Sequence, residues 1–273
     1  MCILLSCLKI NPLRVYAPDL GLLRAPVNSK NIRLDLAYDG NRYHGWQRQN
    51  NALTIQETIE EKIEMMVCES VKLIASGRTD AGVHAVNQAC NFKTRSNIVP
   101  EAIKKGLNGL LPNDILIRDA EYVPFEFHAR YSAKSKVYKY RILNQEDPDV
   151  FMRKYLWHIR TPLDLKVISK CLGLLLGRND FSSFRSSGSG NMDPVRSIMR
   201  AELHGTERGL LRVIIKADGF LRHMVRNIVG TVVEAGLGRI SFNGFEKIFE
   251  SKDRQSAGIK APPQGLFLMD VQY

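Results

Sequence analysis

The run GRTDAGVHA at residues 77–85 holds the side chains best spaced for chemistry. It sets one carboxylate, Asp80, between two glycines and two residues after an arginine, Arg78. Gly77 and Gly82 permit backbone angles, and a closeness to a ligand, that a side chain would forbid. Thr79 and Asp80 are themselves turn formers. The pattern therefore displays a carboxylate at a tip, where it can attack as a nucleophile or move a proton. A bare T-D-A-G is also an ordinary Asx-turn between two strands, so the rest of the chain has to decide.

Four more blocks supply that context: YDGNRYHGWQ at 38–47, FHARYSAKSKVYKY at 127–140, NDFSSFR at 179–185 and HMVRNIVG at 223–230. In this order over residues 32–273 the five blocks resemble the TruA family of tRNA pseudouridine synthases. Such enzymes detach uracil from its ribose, turn the base and rejoin it through carbon, with no net oxidation and no external reagent. The reaction needs a group acting at ribose or base, a pocket for the detached base, and an acid or base to move protons. The resemblance implies that Asp80 is catalytic. Attack at the ribose carbon, attack at the base and assistance to proton removal from the sugar all stay open. It further implies Tyr138 in the base pocket, positions 38, 39 and 40 of the tRNA anticodon stem-loop as targets, no cofactor, and a homodimer in which each RNA crosses both subunits.

The residues add reasons of their own. An ionised Asp is required at neutral pH, yet exclusion of water raises a carboxyl pKa above its usual value of about 3.9. A buried cation opposes that shift. Arg226 is the candidate, because Leu221, Val225, Ile228 and Val232 around it point inward and its charge then needs a partner; a solvated helix charge is the alternative. Arg222, one turn earlier on the same expected helix, shares roughly its face and is assigned to phosphate. A stacked uracil must be flipped out before it can react. Arg78 has the length and flat guanidinium to enter the vacated space or hold the flipped nucleotide's phosphate, or else it braces the turn. Tyr138 offers a flat face to the base, although strand propensity alone also accounts for Tyr138 and Tyr140.

RNA grip is read from two groups. Arg130, Lys134, Lys136, Lys139 and Arg141 interleave with Tyr131, Tyr138 and Tyr140, the mixture expected where phosphates and unstacked bases are both contacted; a solvated basic face is the alternative. Arg42, His44, Trp46 and Arg48 form the second group, and Gly40 and Gly45 beside them suit a backbone lying close to RNA. His84 is read as a structural hydrogen-bonding ring ahead of an acid or base. The net charge of +11 fits a polyanionic partner. Five scattered cysteines without a C-x-x-C pair and six histidines without ligand spacing predict neither a disulfide scaffold nor a metal.

Hydrophobic content of 44% and charged content of 25% over 273 residues describe a globular chain with room for two cores. No apolar run reaches the roughly 18 residues of a bilayer crossing. Residues 1–8 lack a cationic start and a cleavage site, so a cytoplasmic protein without membrane association is expected.

Periodicity yields the elements that must hold these groups. Residues 32–38 alternate as a strand, 54–67 repeat as a helix opened by a Thr54/Glu57 capping box, 71–75 and 86–93 are strands, 100–110 is a helix and 115–122 a strand. The order recurs as strand 136–143, helix 161–177, strands 196–203 and 210–217, helix 219–235 and strand 265–272. The fold class is therefore α+β, with two similar β-α-β-β-α-β (ferredoxin-like) halves whose antiparallel sheets join around a central RNA-binding cleft. The domains are expected at 32–126 and 127–273, with their boundary near 126–135. Residues 1–31 fit neither half and read as a disordered arm or a misassigned start; 186–193 read as a flexible loop within reach of substrate. Two rivals stand beside an RNA isomerase. One is a noncatalytic RNA binder; the other is a carboxylate-dependent hydrolase, which needs a second carboxylate such as Asp39 or Asp180 facing Asp80.

Overall fold

The computed structural model describes residues 29–186, 193–206 and 209–273. The expectations for residues 1–28 and 187–192 lie outside the described residues.

β1 (Lys30–Tyr38) buries Ile32, Leu34, Leu36 and Tyr38 on one face, the period-two pattern of a half-buried strand. α1 (Ile55–Val67) begins where the Thr54 hydroxyl accepts the Glu57 N–H, and it buries Ile55, Ile59 and Ile63. β2 (Ile74–Ala75) is shorter than the sequence pattern predicts, and β3 (His84–Thr94) is longer. α2 (Pro100–Leu110) opens on its proline and turns Ile103 and Leu107 inward, and β4 (Ile115–Val123) ends the first half. In the second half come β5 (Ser135–Asn144), β6 (Trp157–Ile159), α3 (Leu165–Leu174), β7 (Gly177–Asp180), β8 (Val195–Gly205), β9 (Leu210–Ala217), α4 (Met224–Gly236), α5 (Phe242–Ser251) and β10 (Leu266–Gln272).

Two departures from the sequence pattern have local causes. α3 starts after Pro162 because the Asp164 carboxylate accepts the N–H groups of Lys166 and Val167. α4 starts at Met224 because His223 sits at φ 62, a left-handed angle that stops a helix from extending backwards. Arg222 therefore precedes α4 and does not share a helix face with Arg226. β6, β7 and α5 are additional elements.

The ten strands of the described residues form one sheet, ordered β4-β1-β3-β10-β5-β9-β8-β7, with β2 on β3 and β6 on β5. The mixed architecture is α+β. Pairs are antiparallel except β10 with β3 and β6 with β5. The short parallel contact of Phe267 with His84 and Leu268 with Ala85 is the seam between first-half and second-half strands. It sets the start of β3, just past the GRTD turn, beside β10, whose other edge carries β5.

Register then sorts β5 by face. Tyr138 pairs with Leu268 and Ile215, and these side chains are buried. Lys139 pairs with Phe267 and Ile214, one residue out of phase, so it lies on the opposite, more open face together with Arg141. No helix among the described residues is long and apolar enough to cross a membrane.

Candidate active site

The loop carrying Asp80 is anchored at both ends. On entry, the Ser76 N–H donates to Ala89 O at 2.8 Å, the Ser76 hydroxyl to Gln88 Oε1 at 2.6 Å, and the Gln88 amide to Gly77 O at 2.8 Å. On exit, the Val83 N–H donates to Asp80 O at 3.1 Å after Gly82 turns through φ 75. The YDGNRYHGWQ block forms the bed beneath. Its Trp46 N–H donates to Thr79 O at 3.0 Å, and the Tyr38 and Thr79 hydroxyls meet at 2.8 Å.

This contact explains the two glycines of that block. A Cβ on Gly40 would fall inside the Val83 carbonyl, and one on Gly45, at φ 93, would lie 2.7 Å from Thr79 O. The backbone they approach is the chain's own, which corrects the reading of an approach to RNA. Trp46 is 2% exposed and packs on Tyr38, so it belongs to this bed and offers almost no surface to RNA.

The Asp80 side chain keeps 30% of its surface exposed. Arg226 Nη1 donates to Asp80 Oδ2 at 2.8 Å, and Arg226 Nε donates to Ala261 O at 2.8 Å, which fixes the fork. Arg226 itself is 8% exposed. One partner comes from the first half and the other from α4, so the ion pair bridges the seam. His223 completes the surround with Nε2 3.5 Å from Asp80 Oδ1. Burial pushes its pKa down, Asp80 pulls it up, and Lys260, Arg226 and Arg222 push it down again. Sequence reasoning missed His223 as a site residue, because nothing in HMVRNIVG shows that its backbone turns left-handed.

Tyr138 lies on the same buried face, edge-on to Phe220 at 4.9 Å. Burial chiefly, then the charges of Tyr38 and Asp80, push its phenol well above the ordinary range, so it stays neutral. Arg78 is exposed and makes no hydrogen bond or ion pair with the described residues. Lys136 reaches back from β5 to the Ser76 carbonyl at the root of the loop. Its burial, with Arg130 and Arg196 nearby, pushes its pKa down to about 8. Arg130 and Lys134 are exposed, and Arg130 lies 5.7 Å from the ring of Tyr131, itself 77% exposed and tilted against His128. Arg222 is exposed and its carbonyl accepts the Ser186 N–H.

Other sequence candidates fall elsewhere. Lys139 lies near Phe267 on the sheet face opposite Tyr138, as strand alternation requires. Arg42 is highly exposed and pairs loosely with Asp114 at 3.5 Å; His44 is exposed, and Arg48 pairs with Glu57 and Glu60. His84 is buried against Phe267 and Tyr155. Burial lowers its pKa, so Nδ1 accepts the Gly40 N–H at 3.1 Å in preference to donating to Asp39 at the same distance. Asp39 accepts from Asn41 and the Tyr155 hydroxyl, and Asp180 from the Ser182 N–H. Both carboxylates named for a hydrolase are thus engaged by other partners.

The description tRNA pseudouridine synthase matches residues 36–132 and 172–273, most of the chain. The chain belongs to the tRNA pseudouridine synthase family. Relatives named tRNA pseudouridine synthase A include one from Thermoanaerobacter sp., 45% identical over 244 residues, which span 89% of this chain and 100% of that relative. Over the same spans, those of Acetivibrio thermocellus and Caldicellulosiruptor saccharolyticus are 43% and 46% identical. The family match takes in both sides of the ion pair, with Asp80 in its first stretch and Arg226 in its second. As a member of an isomerase family, the chain needs a site that acts on one bound nucleotide and returns it rearranged.

Proposed function

We propose that this protein isomerises uridine to pseudouridine at positions 38, 39 and 40 in the anticodon stem-loop of tRNA, with Asp80 as the catalytic residue. The Asp80–Arg226 pair carries the reading: a lone carboxylate, partly open, held by a fixed guanidinium. A guanidinium on Oδ2 orients the carboxylate, leaving its open side for the nucleotide. Arg78, free to move beside it, enters the helical space vacated by the flipped uridine. Tyr138 walls the pocket that holds the detached base while it turns. In the net reaction the base loses its hydrogen at carbon 5 and gains one at nitrogen 1, so protons are exchanged without a redox step.

Arg130, Lys134, Lys136 and Arg222 are proposed to receive backbone phosphates, and exposed Arg42 and His44 to meet RNA further out. Lys139, on the far face, would need a separate stretch of RNA. Each half is read as ferredoxin-like, supported by matching strand orders, β4-β1-β3-β2 and β10-β5-β9-β8, with β2 and β10 sharing one edge of β3. The halves divide near residues 126–135 and flank the RNA cleft. A cytoplasmic homodimer is proposed as the working form.

The test is a tRNA transcript carrying tritium at uracil carbon 5. Tritium release with pseudouridine and no free base is the expected outcome. Free uracil would establish a hydrolase instead, and binding with neither product a noncatalytic RNA binder.

A further inference from the structure

His223 has two features that a helix-capping residue does not need. It holds a left-handed backbone, φ 62, although it is not glycine, and its ring lies between Ser186 and Asp80. A left-handed backbone is unfavourable for a non-glycine residue, and such strain clusters at functional sites. The hydrogen bonds around it also have a definite polarity. Arg254 Nη2, which can only donate, lies 3.1 Å from Asn227 Oδ1. Asn227 Nδ2 is then the donor end, and it faces Phe184 O at 2.8 Å and Ser186 Oγ at 3.5 Å. The Ser186 hydroxyl, 2.8 Å from His223 Nδ1, can accept on that side and still donate to the ring. An ionised carboxylate oxygen only accepts, so in a neutral ring the nitrogen facing Asp80 Oδ1, Nε2, carries the proton and Nδ1 is left to accept.

We infer that His223 is a positioning residue for the reaction proposed above, its neutral ring donating Nε2–H to Asp80 Oδ1 while Arg226 holds Oδ2. The inference rests on the proposed function for its rate consequences, but the hydrogen-bond chain stands on the geometry alone. At 3.5 Å the contact is long for a hydrogen bond, and such catalytic bonds tighten when substrate displaces water. With both oxygens oriented, the carboxylate presents fixed remaining lone pairs to the nucleotide. Protonating the ring replaces this with a second ion pair that holds the carboxylate back. The groups facing the ring are Asp80 from the loop, Arg226 on α4, Arg222 just before it and Lys260 before β10. Burial and the three cations favour the neutral ring at neutral pH.

The experiment is single-turnover tritium release by the full chain from about pH 5 to about pH 9, across the range in which a histidine titrates. The wild-type rate should fall on the acid side. His223→Asn suits the left-handed backbone but is too short to reach Asp80. It should release tritium at least about tenfold more slowly, with tRNA affinity within about twofold. His223→Gln reaches and donates but cannot titrate, so it should recover most of the rate and lose the acid limb. Wild-type rates in His223→Asn, an acid limb kept in His223→Gln, or a loss confined to tRNA affinity would each overturn the inference. A second readout needs no activity. The NMR titration midpoint of the His223 ring should fall in Asp80→Asn, because the carboxylate charge that raises it is gone. An unmoved midpoint refutes the contact. A shifted midpoint in a wild-type protein that releases no tritium supports the chain of bonds and overturns the proposed function.

Discussion

Replacing Arg226 with methionine removes the cation 2.8 Å from Asp80 Oδ2 while filling much of the same buried space. Two unit charges at that distance attract by about 6 kcal/mol at an effective dielectric of about 20. Part of this is offset by dehydration of the guanidinium, whose side chain is only 9% exposed, while the carboxylate at 30% keeps some of its own water. A net coupling of about 2–3 kcal/mol follows, within the range measured for close, partly desolvated pairs. The assay is a double-mutant cycle by urea unfolding with Asp80→Asn, Arg226→Met and the double variant at about 0.1 M salt. Tritium release by Arg226→Met should fall about 100-fold, because the carboxylate loses its fixed orientation. A coupling below about 0.5 kcal/mol, the value of an exposed pair, would refute the claim that this ion pair locks the site.

Gly40→Ala should push a methyl into the Val83 carbonyl and shift the catalytic loop, lowering stability by about 2 kcal/mol or more and slowing tritium release; urea midpoints and the release assay check both. Arg78→Ala should leave the thermal midpoint within the small range of surface substitutions, while tRNA affinity and tritium release both drop, since the exposed side chain has no described partner in the free protein. Lys136 is pushed down to about 8 from an ordinary 10.5. Between those values the unfolded chain holds a proton that the folded chain has lost, so this side chain makes stability rise with pH from about 8 to about 10.5. Urea titrations of wild type and Lys136→Met should differ by that rise.

Regular elements were legible where one pattern dominates. The alternation of Ile32, Leu34, Leu36 and Tyr38 gives β1, and the Thr54 cap with Ile55, Ile59 and Ile63 gives α1. α5 was missed although Ser241 caps it and Phe242, Phe245 and Phe249 share its buried side, a signal shorter than the neighbouring turn residues obscured. Arg226 could be singled out because a cation on an apolar helix needs a partner. His223 could not, since its role depends on a backbone angle set by packing. Gly40 and Gly45 show a similar limit: glycine tells that some backbone comes close, not whose. Lys139 was separable from Tyr138 by strand parity alone, but its distance from the carboxylate depends on which face the helices cover, and that emerges only when ten strands are assembled.

Single-turnover tritium release by Asp80→Asn, measured beside its affinity for the same tRNA, tests the central claim most directly. The substitution keeps shape and one acceptor oxygen but removes the charge. The account expects release to be abolished with tRNA affinity within about threefold of wild type, since phosphate contacts come from other residues. Release continuing at a rate near wild type would contradict it.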